Sequence, residues 1–187
     1  MSKRPLTGGH VSAAGGPVGA LARGEAEGFE TIQIFGASPR AWKANQYDAS
    51  VPPAFKKAHK ESSIQTVFLH ASYLVNLGSD NPELVEKSVA NLAAHLELAE
   101  SIGAEGLVFH PGSAGKQSVE ETIEKHGINM NRVLDMVPGK AKLIIENTAG
   151  QGTKVGHSAK EVGDIMKAAN HERVAVCMDT AHVCGAG

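Results

Sequence analysis

Five side chains able to bind a transition metal stand at or just past the ends of apolar runs. His70 follows Val67-Phe68-Leu69, His110 follows Leu107-Val108-Phe109, and Glu146 follows Leu143-Ile144-Ile145. Asp179 follows Val176-Cys177-Met178, and His182 lies three residues further on. Such short apolar runs read as buried strands. A carboxylate closing one is hard to explain as packing, because a buried carboxylate is costly unless it is paired or bound to metal. Glu146 is therefore expected at the centre of a site. Imidazole and carboxylate together suit Zn²⁺, Mn²⁺ or Fe better than Ca²⁺ or Mg²⁺. Clustered ions bridged by a carboxylate serve phosphoryl chemistry, where they generate hydroxide at neutral pH and clamp the oxygens of an in-line displacement. A metal-dependent sugar isomerase fits the same residues, and their spacing does not separate the two.

The remaining histidines read differently. His59, His95, His126 and His171 fall in polar helical or loop settings and are expected at the surface. His157 is expected in a loop before a helix. His10, ending the first apolar run, is left open between site and surface. Cys177 shares strand parity with Asp179 and reads as core, whereas Cys184 lies nearer the site. Two cysteines imply no disulfide framework.

Strands are expected over 9–13, 31–35, 66–70, 106–110, 143–146 and 174–179, with helices between them. A first helix over 16–28 places Val18, Leu21, Ala22 and Ala26 on one side and Gly28 just past its end. A short second helix covers 54–62. The third starts at Asn81-Pro82, a cap followed by a first-turn proline, and holds Leu84, Val85, Val89, Leu92, Leu96, Ala99 and Ile102 on one face up to Gly103. The fourth and fifth open with Ser118-Val119-Glu120-Glu121 and Ser158-Ala159-Lys160-Glu161, both capping-box patterns. Strand–helix alternation means an α/β fold with a mostly parallel sheet. A doubly wound sheet gathers ligands at one switch point. Metal-binding residues at four strand ends favour a (β/α)₈ TIM barrel, whose site collects the C-terminal ends of several strands. Six strands in 187 residues fall short of the roughly 250 residues of a full barrel. About six of eight βα units in one incomplete domain over 1–187 are therefore expected, with the C-terminal units missing.

Composition is ordinary for a globular protein, at 42% hydrophobic and 20% charged residues. With a net charge of -2, contact with nucleic acid must come from a local patch. The N-terminal MSKRPLTGGH lacks the apolar core of a signal peptide, and no apolar run is long enough to span a bilayer. A cytoplasmic protein is the default expectation.

Five stretches resemble endonuclease IV, a family of apurinic/apyrimidinic endonucleases. They are GHVSAAGG from Gly9, HASYLVNL from His70, FHPGS from Phe109, IENTAGQG from Ile145 and DTAH from Asp179. They run in the family's order along essentially the whole chain. The resemblance implies a (β/α)₈ barrel with three zinc ions that hydrolyses the phosphodiester 5′ to an abasic site in double-stranded DNA, leaving a 3′-hydroxyl. It implies a monomer, with Mn²⁺ as an alternative ion. His70 and His110 resemble ligands of the first zinc, and Glu146 resembles the catalytic carboxylate bridging the first and second. Asp179 resembles a ligand of the second and His182 one of the third. Arg40, Tyr73 and Leu74 resemble residues that enter DNA at the lesion. The amides of Gly150-Gln151-Gly152 fit either a phosphate cradle or a tight turn. The family's further His, Asp-x-His pair and final Glu have no counterpart in this chain. The first zinc site is thus complete and the others partial, and the resemblance implies weak or absent activity and poor stability for these 187 residues alone.

Overall fold

Six short strands line up in chain order, each followed by a helix. They are β1 (Gly8–His10), α1 (Pro17–Ala26), β2 (Thr31–Phe35), α2 (Val51–Glu61), β3 (Thr66–His70), α3 (Pro82–Ile102), β4 (Gly106–Phe109), α4 (Val119–Met136), β5 (Lys142–Glu146), α5 (Ala159–Ala169), β6 (Val174–Cys177) and α6 (Thr180–Ala186). The structure is a computed structural model that describes residues 4–187, so the first three residues of the N-terminal stretch lie outside it. Every neighbouring pair is parallel, and the sheet order is β1-β2-β3-β4-β5-β6. Strand order never reverses, so there is no switch point of the doubly wound kind. The winding is that of a (β/α) barrel, as the strand-end residues implied. Six βα units are present, and β1 and β6 are the two ends of the sheet among the described residues.

Register decides which side chains meet. Phe35 pairs with His70, His70 with Val108, Val108 with Ile144, and Glu146 with Cys177. Paired residues share a face of a sheet, as do residues two apart along a strand. His70, His110 and Glu146 therefore emerge on one face, the barrel interior. On this face a cleft of about 360 Å³ is lined by Gln33, Phe68, Val108, Ile144 and Cys177, among others. The opposite face packs under the helices through Leu69, Leu107, Phe109, Leu143 and Ile145, all fully buried. Burying each such side chain contributes about 1.5–3 kcal/mol.

Helix ends follow local chemistry. Asn81 caps α3 by accepting from the amides of Glu83 and Leu84, and Gly103 closes it in the left-handed region at φ 75°. Ser118 and Glu121 form the full capping box of α4. The box expected at Ser158 is only half made. Ser158 Oγ accepts the Glu161 amide, but the Glu161 carboxylate instead accepts from Gly156 N at 2.7 Å and faces His157.

Several expectations fail for physical reasons. The first helix buries Pro17, Ala20, Leu21 and Gly24, not Val18, Ala22 and Ala26. Gly24 decides this rotation: a Cβ there would come within 2.6 Å of Ile32 Cγ2, so the helix rides on β2 at that point. α2 starts at Val51 rather than 54, because prolines at 52 and 53 fit a first turn. Val119 in the first turn of α4 and Met166 on α5 are exposed, although both are apolar. β1 ends at His10, and β6 ends at Cys177 because Asp179 leaves the strand to cap α6. Cys177 is half-buried rather than core, Cys184 is exposed, and both are free thiols. No described helix is long and apolar enough to cross a membrane.

Two substitutions test this account. Leu143→Ala should lower the unfolding free energy by about 2–5 kcal/mol through a cavity in the layer between sheet and helices. Asn81→Ala should lower it by about 1 kcal/mol through loss of a cap. Urea denaturation of both variants measures the difference; equal effects would contradict the burial of β5.

Candidate metal centre

Glu146 closes β5 with only 7% of its surface exposed, and three histidines surround it. Its Oε2 lies 3.1 Å from His70 Nε2 and 3.4 Å from His110 Nε2. Its Oε1 lies 3.4 Å from His182 Nδ1, which is 3.6 Å from Asp179 Oδ2. The two oxygens of one carboxylate thus face two separate groups, His70–His110 and Asp179–His182. In each group the potential ligand atoms lie within 4.8 Å of one another. Burial pushes the Glu146 carboxyl up, but hydrogen bonding with His110 and then His70 outweighs it and holds the group well below the ordinary carboxylate range. The charged form prevails, which is what a cation would need.

The ligand atoms are also oriented. His70 Nδ1 lies 2.8 Å from the carbonyl of Ala71. With Nδ1–H donated there, Nε2 faces Glu146 with either a proton or a free lone pair. His182 Nδ1 lies 2.9 Å from the carbonyl of Asn147. With that proton donated, its free lone pair is on Nε2. Although His182 Nδ1 lies near Glu146, the nitrogen free for an ion is thus the other one. A buried mixed nitrogen and oxygen donor set fits Zn²⁺ or a similar ion.

Of the residues read from sequence, His70, His110, Glu146, Asp179 and His182 come together. His10 stands beside this cluster without joining it. Its ring is 4.4 Å from Phe35, which is 5.3 Å from His70, and its Nδ1 meets Gln33 at 3.2 Å. Burial, and then the charge of His70, push its pKa down. Arg40 and Tyr73-Leu74 sit on neighbouring loops tied by Pro39, whose carbonyl accepts from Tyr73 N at 2.9 Å and Ser72 Oγ at 3.1 Å. Arg40 is exposed and Leu74 half-buried. Tyr73 is 53% exposed, and its ring stacks on His110 at 5.6 Å with 9° between planes. Gly150 and Gly152 occupy left-handed turn positions, and Lys154 N returns to Gln151 O at 3.3 Å.

Two expectations about other histidines fail. His95 and His126 are not at the surface; they are 1% and 0% exposed. Each sits on the inner face of a helix with Nδ1 beside a carbonyl four residues back, at 2.8 Å for His95 and 2.7 Å for His126. Carbonyl partners within reach make burial of a polar ring tolerable. His157 is exposed in its loop, as expected, 3.1 Å from Glu161.

Sequence reasoning missed Asn147. Read as part of a turn-prone tail, it is 1% exposed. Its Oδ1 accepts from Asp179 N at 2.6 Å, and its Nδ2 donates to Asp179 O at 3.2 Å. The side-chain amide pairs with the Asp179 backbone much as a further strand residue would. It holds Asp179 while its own carbonyl orients His182. The one available signal was an amide side chain directly after a strand-closing carboxylate.

A sequence model of the xylose isomerase-like TIM-barrel family matches residues 21–187. The chain is 40% identical over 186 residues to a protein of Halorhodospira halophila named probable endonuclease 4, covering 98% of this chain and 63% of that one. A crystal structure of endonuclease IV from Thermus thermophilus matches with a TM-score of 0.85 at 38% identity, covering 98% of this chain and 65% of that one. A D-tagatose 3-epimerase-like protein shares the fold with a TM-score of 0.73 at 15% identity, covering 95% and 66%. The chain thus spans somewhat less than two thirds of the length of the relatives named endonuclease.

Asn147→Ala should lower the unfolding free energy by about 1–3 kcal/mol, because it leaves the Asp179 backbone unpaired beside a half-buried turn. Chemical denaturation without added metal measures this. A neutral substitution would mean that solvent replaces both bonds.

Proposed function

The chain belongs to the xylose isomerase-like TIM-barrel family, and we propose that it is a DNA-repair endonuclease of the endonuclease IV type. In this reading it hydrolyses the phosphodiester 5′ to an abasic site in double-stranded DNA and leaves a 3′-hydroxyl. The observation that carries the reading is Glu146, one buried carboxylate whose two oxygens face two different sets of metal-binding side chains. The identity to probable endonuclease 4 along 98% of the chain supports it. The epimerase likeness, at 15% identity, is one of fold.

His70, His110 and Glu146 would hold one ion, Glu146 and Asp179 would contribute to a second, and His182 to a third. Zn²⁺ is the preferred ion and Mn²⁺ the alternative. Bound there, the ions supply Lewis-acid polarisation of a phosphoryl oxygen and acidify water for attack at neutral pH. Glu146 keeps its negative charge between the two groups. Asn147 holds Asp179 and, through its carbonyl, His182. Arg40, Tyr73 and Leu74 would engage the duplex, with Tyr73 and Leu74 acting as a wedge that compensates for lost stacking. An abasic nucleotide has already lost its base, so turning it out of the helix costs less than at an intact pair. In this reading the protein acts as a monomer in the cytoplasm, within one barrel domain.

Tyr73 also separates this reading from a sugar isomerase or epimerase. A wedge over the metal centre serves a duplex, whereas a small sugar does not need one. The test is single-turnover cleavage of a duplex oligonucleotide carrying one abasic site, with the chain loaded with Zn²⁺ or Mn²⁺. Slow cleavage at most, 5′ to the lesion, is expected, as the partial second and third ion sites imply. Glu146→Gln should abolish it and lower metal content. Tyr73→Ala should slow it at least tenfold while metal content stays unchanged. Cleavage elsewhere than 5′ to the lesion, an unchanged rate in Tyr73→Ala, or turnover of a ketose instead would overturn the proposal.

A further inference from the structure

Helix α4 carries a buried polar stripe that no metal ligand explains. Thr122, His126 and Asn129 lie on its inner face, all buried. Their spacing of four and three residues puts them on one side of the helix. Two of them reach the loops that leave the strands of His70 and His110. His126 Nε2 lies 2.6 Å from the carbonyl of Pro111, the residue after His110. Asn129 Nδ2 donates to Leu77 O at 2.8 Å, in the loop after β3. The two loops are also tied to each other, since Asn76 Nδ2 donates to Ser113 O at 2.8 Å and Gln117 Nε2 to Gly78 O at 2.8 Å.

The tautomer of His126 follows from its partners. Thr122 O, which faces Nδ1, already receives the backbone N–H of residue 126 within the helix. Pro111 O has no other partner among the described residues. The neutral ring has one N–H for two carbonyls; leaving buried Pro111 O unpaired would cost about 1–3 kcal/mol, whereas Thr122 O keeps its helical bond, so we place the proton on Nε2 and accept a lone-pair contact between Nδ1 and Thr122 O. Burial also pushes the ring towards its neutral form, with a single N–H to place. The opposite wall is shaped to fit: a Cβ on Gly78 would come within 2.3 Å of His126 Cε1.

We propose that His126 is a positioning residue for the metal centre, fixing the His110 ligand by donating Nε2–H to the carbonyl of Pro111, with the Gly78 backbone leaving room for the ring. This rests on the metal-centre reading above and adds to it a residue that touches no ion. Groups that orient metal ligands typically account for 10–100-fold in metal affinity.

The experiment uses the 187-residue chain and Co²⁺ alone, with affinity taken from competition against a chelator and the absorption band of the bound ion as a second readout. His126→Leu keeps the bulk and loses the donor. It should weaken Co²⁺ binding about 10–100-fold and shift the absorption band. His126→Gln can still donate to Pro111 O and should stay within about threefold of the parent, because one restored donor restores the ligand's position. Gly78→Ala approaches from another element and should reproduce the His126→Leu loss by displacing the ring. It keeps the proposal testable if His126→Leu does not fold. Asn131→Ala is the control: it removes a bond from α4 to Ala169 O, away from the two loops, and should lower stability with parental affinity. Parental affinity in His126→Leu or Gly78→Ala overturns the proposal, as does an equal loss in His126→Gln or Asn131→Ala. A parent chain that binds no Co²⁺ overturns the metal-centre reading together with this one, so the two failures are distinguishable.

Discussion

A single buried carboxylate, Glu146, sets the terms for the rest of the site. Its negative charge at the end of β5 is tolerable because His70 and His110 approach one oxygen and His182 the other. Remove those partners and the carboxylate must either protonate or draw in water, because an uncompensated buried charge is among the costliest features a core can hold. The strands that deliver these partners are locked by apolar packing on their opposite faces, where Leu69, Phe109 and Ile145 are fully buried. Core and site therefore use alternate residues of the same short strands. Stability on one face fixes geometry on the other.

Much of the precision at the strand ends comes from neutral polar groups rather than from charges. Ala71 O orients His70, Asn147 O orients His182, and the Asn147 side chain clasps the backbone of Asp179. Each is a short-range bond in a place where water has little access. The loops after β3, β4 and β5 are likewise joined to one another, by Asn76 to Ser113 and by the bridge between Ser113 and Lys154. Loops tied in this way behave as one rim, which suits a site that must hold several ligand atoms at fixed separations.

Two of the residues proposed to engage the duplex, Arg40 and Tyr73, occupy the exposed part of that rim. Tyr73 projects from a turn whose amide is held by Pro39 O, and its ring lies parallel to His110. An aromatic ring held this way presents an apolar face beside the candidate metal-binding cluster. Its exposure would be an ordinary loop property were it not stacked on a residue of that cluster.

The strand–helix alternation, the caps of α3 and α4, and Glu146 with the four residues around it were legible along the chain, because each is marked by its close neighbours in sequence. Apolar runs ending in His or Glu are visible without coordinates, and so is Asn81-Pro82. Contacts between distant elements settled the rest. They give a strand order that never reverses, and with it the barrel winding that the strand-end residues already favoured. They turn the buried face of α1 to the side where Gly24 meets Ile32. They bury His95 and His126, whose polar helical surroundings in sequence say nothing about which face packs inward. They give Asn147 its task, because the backbone it holds lies 32 residues away. Periodicity reports what a residue's own helix or strand prefers; what a polar side chain bonds to is set by whichever backbone the fold brings beside it.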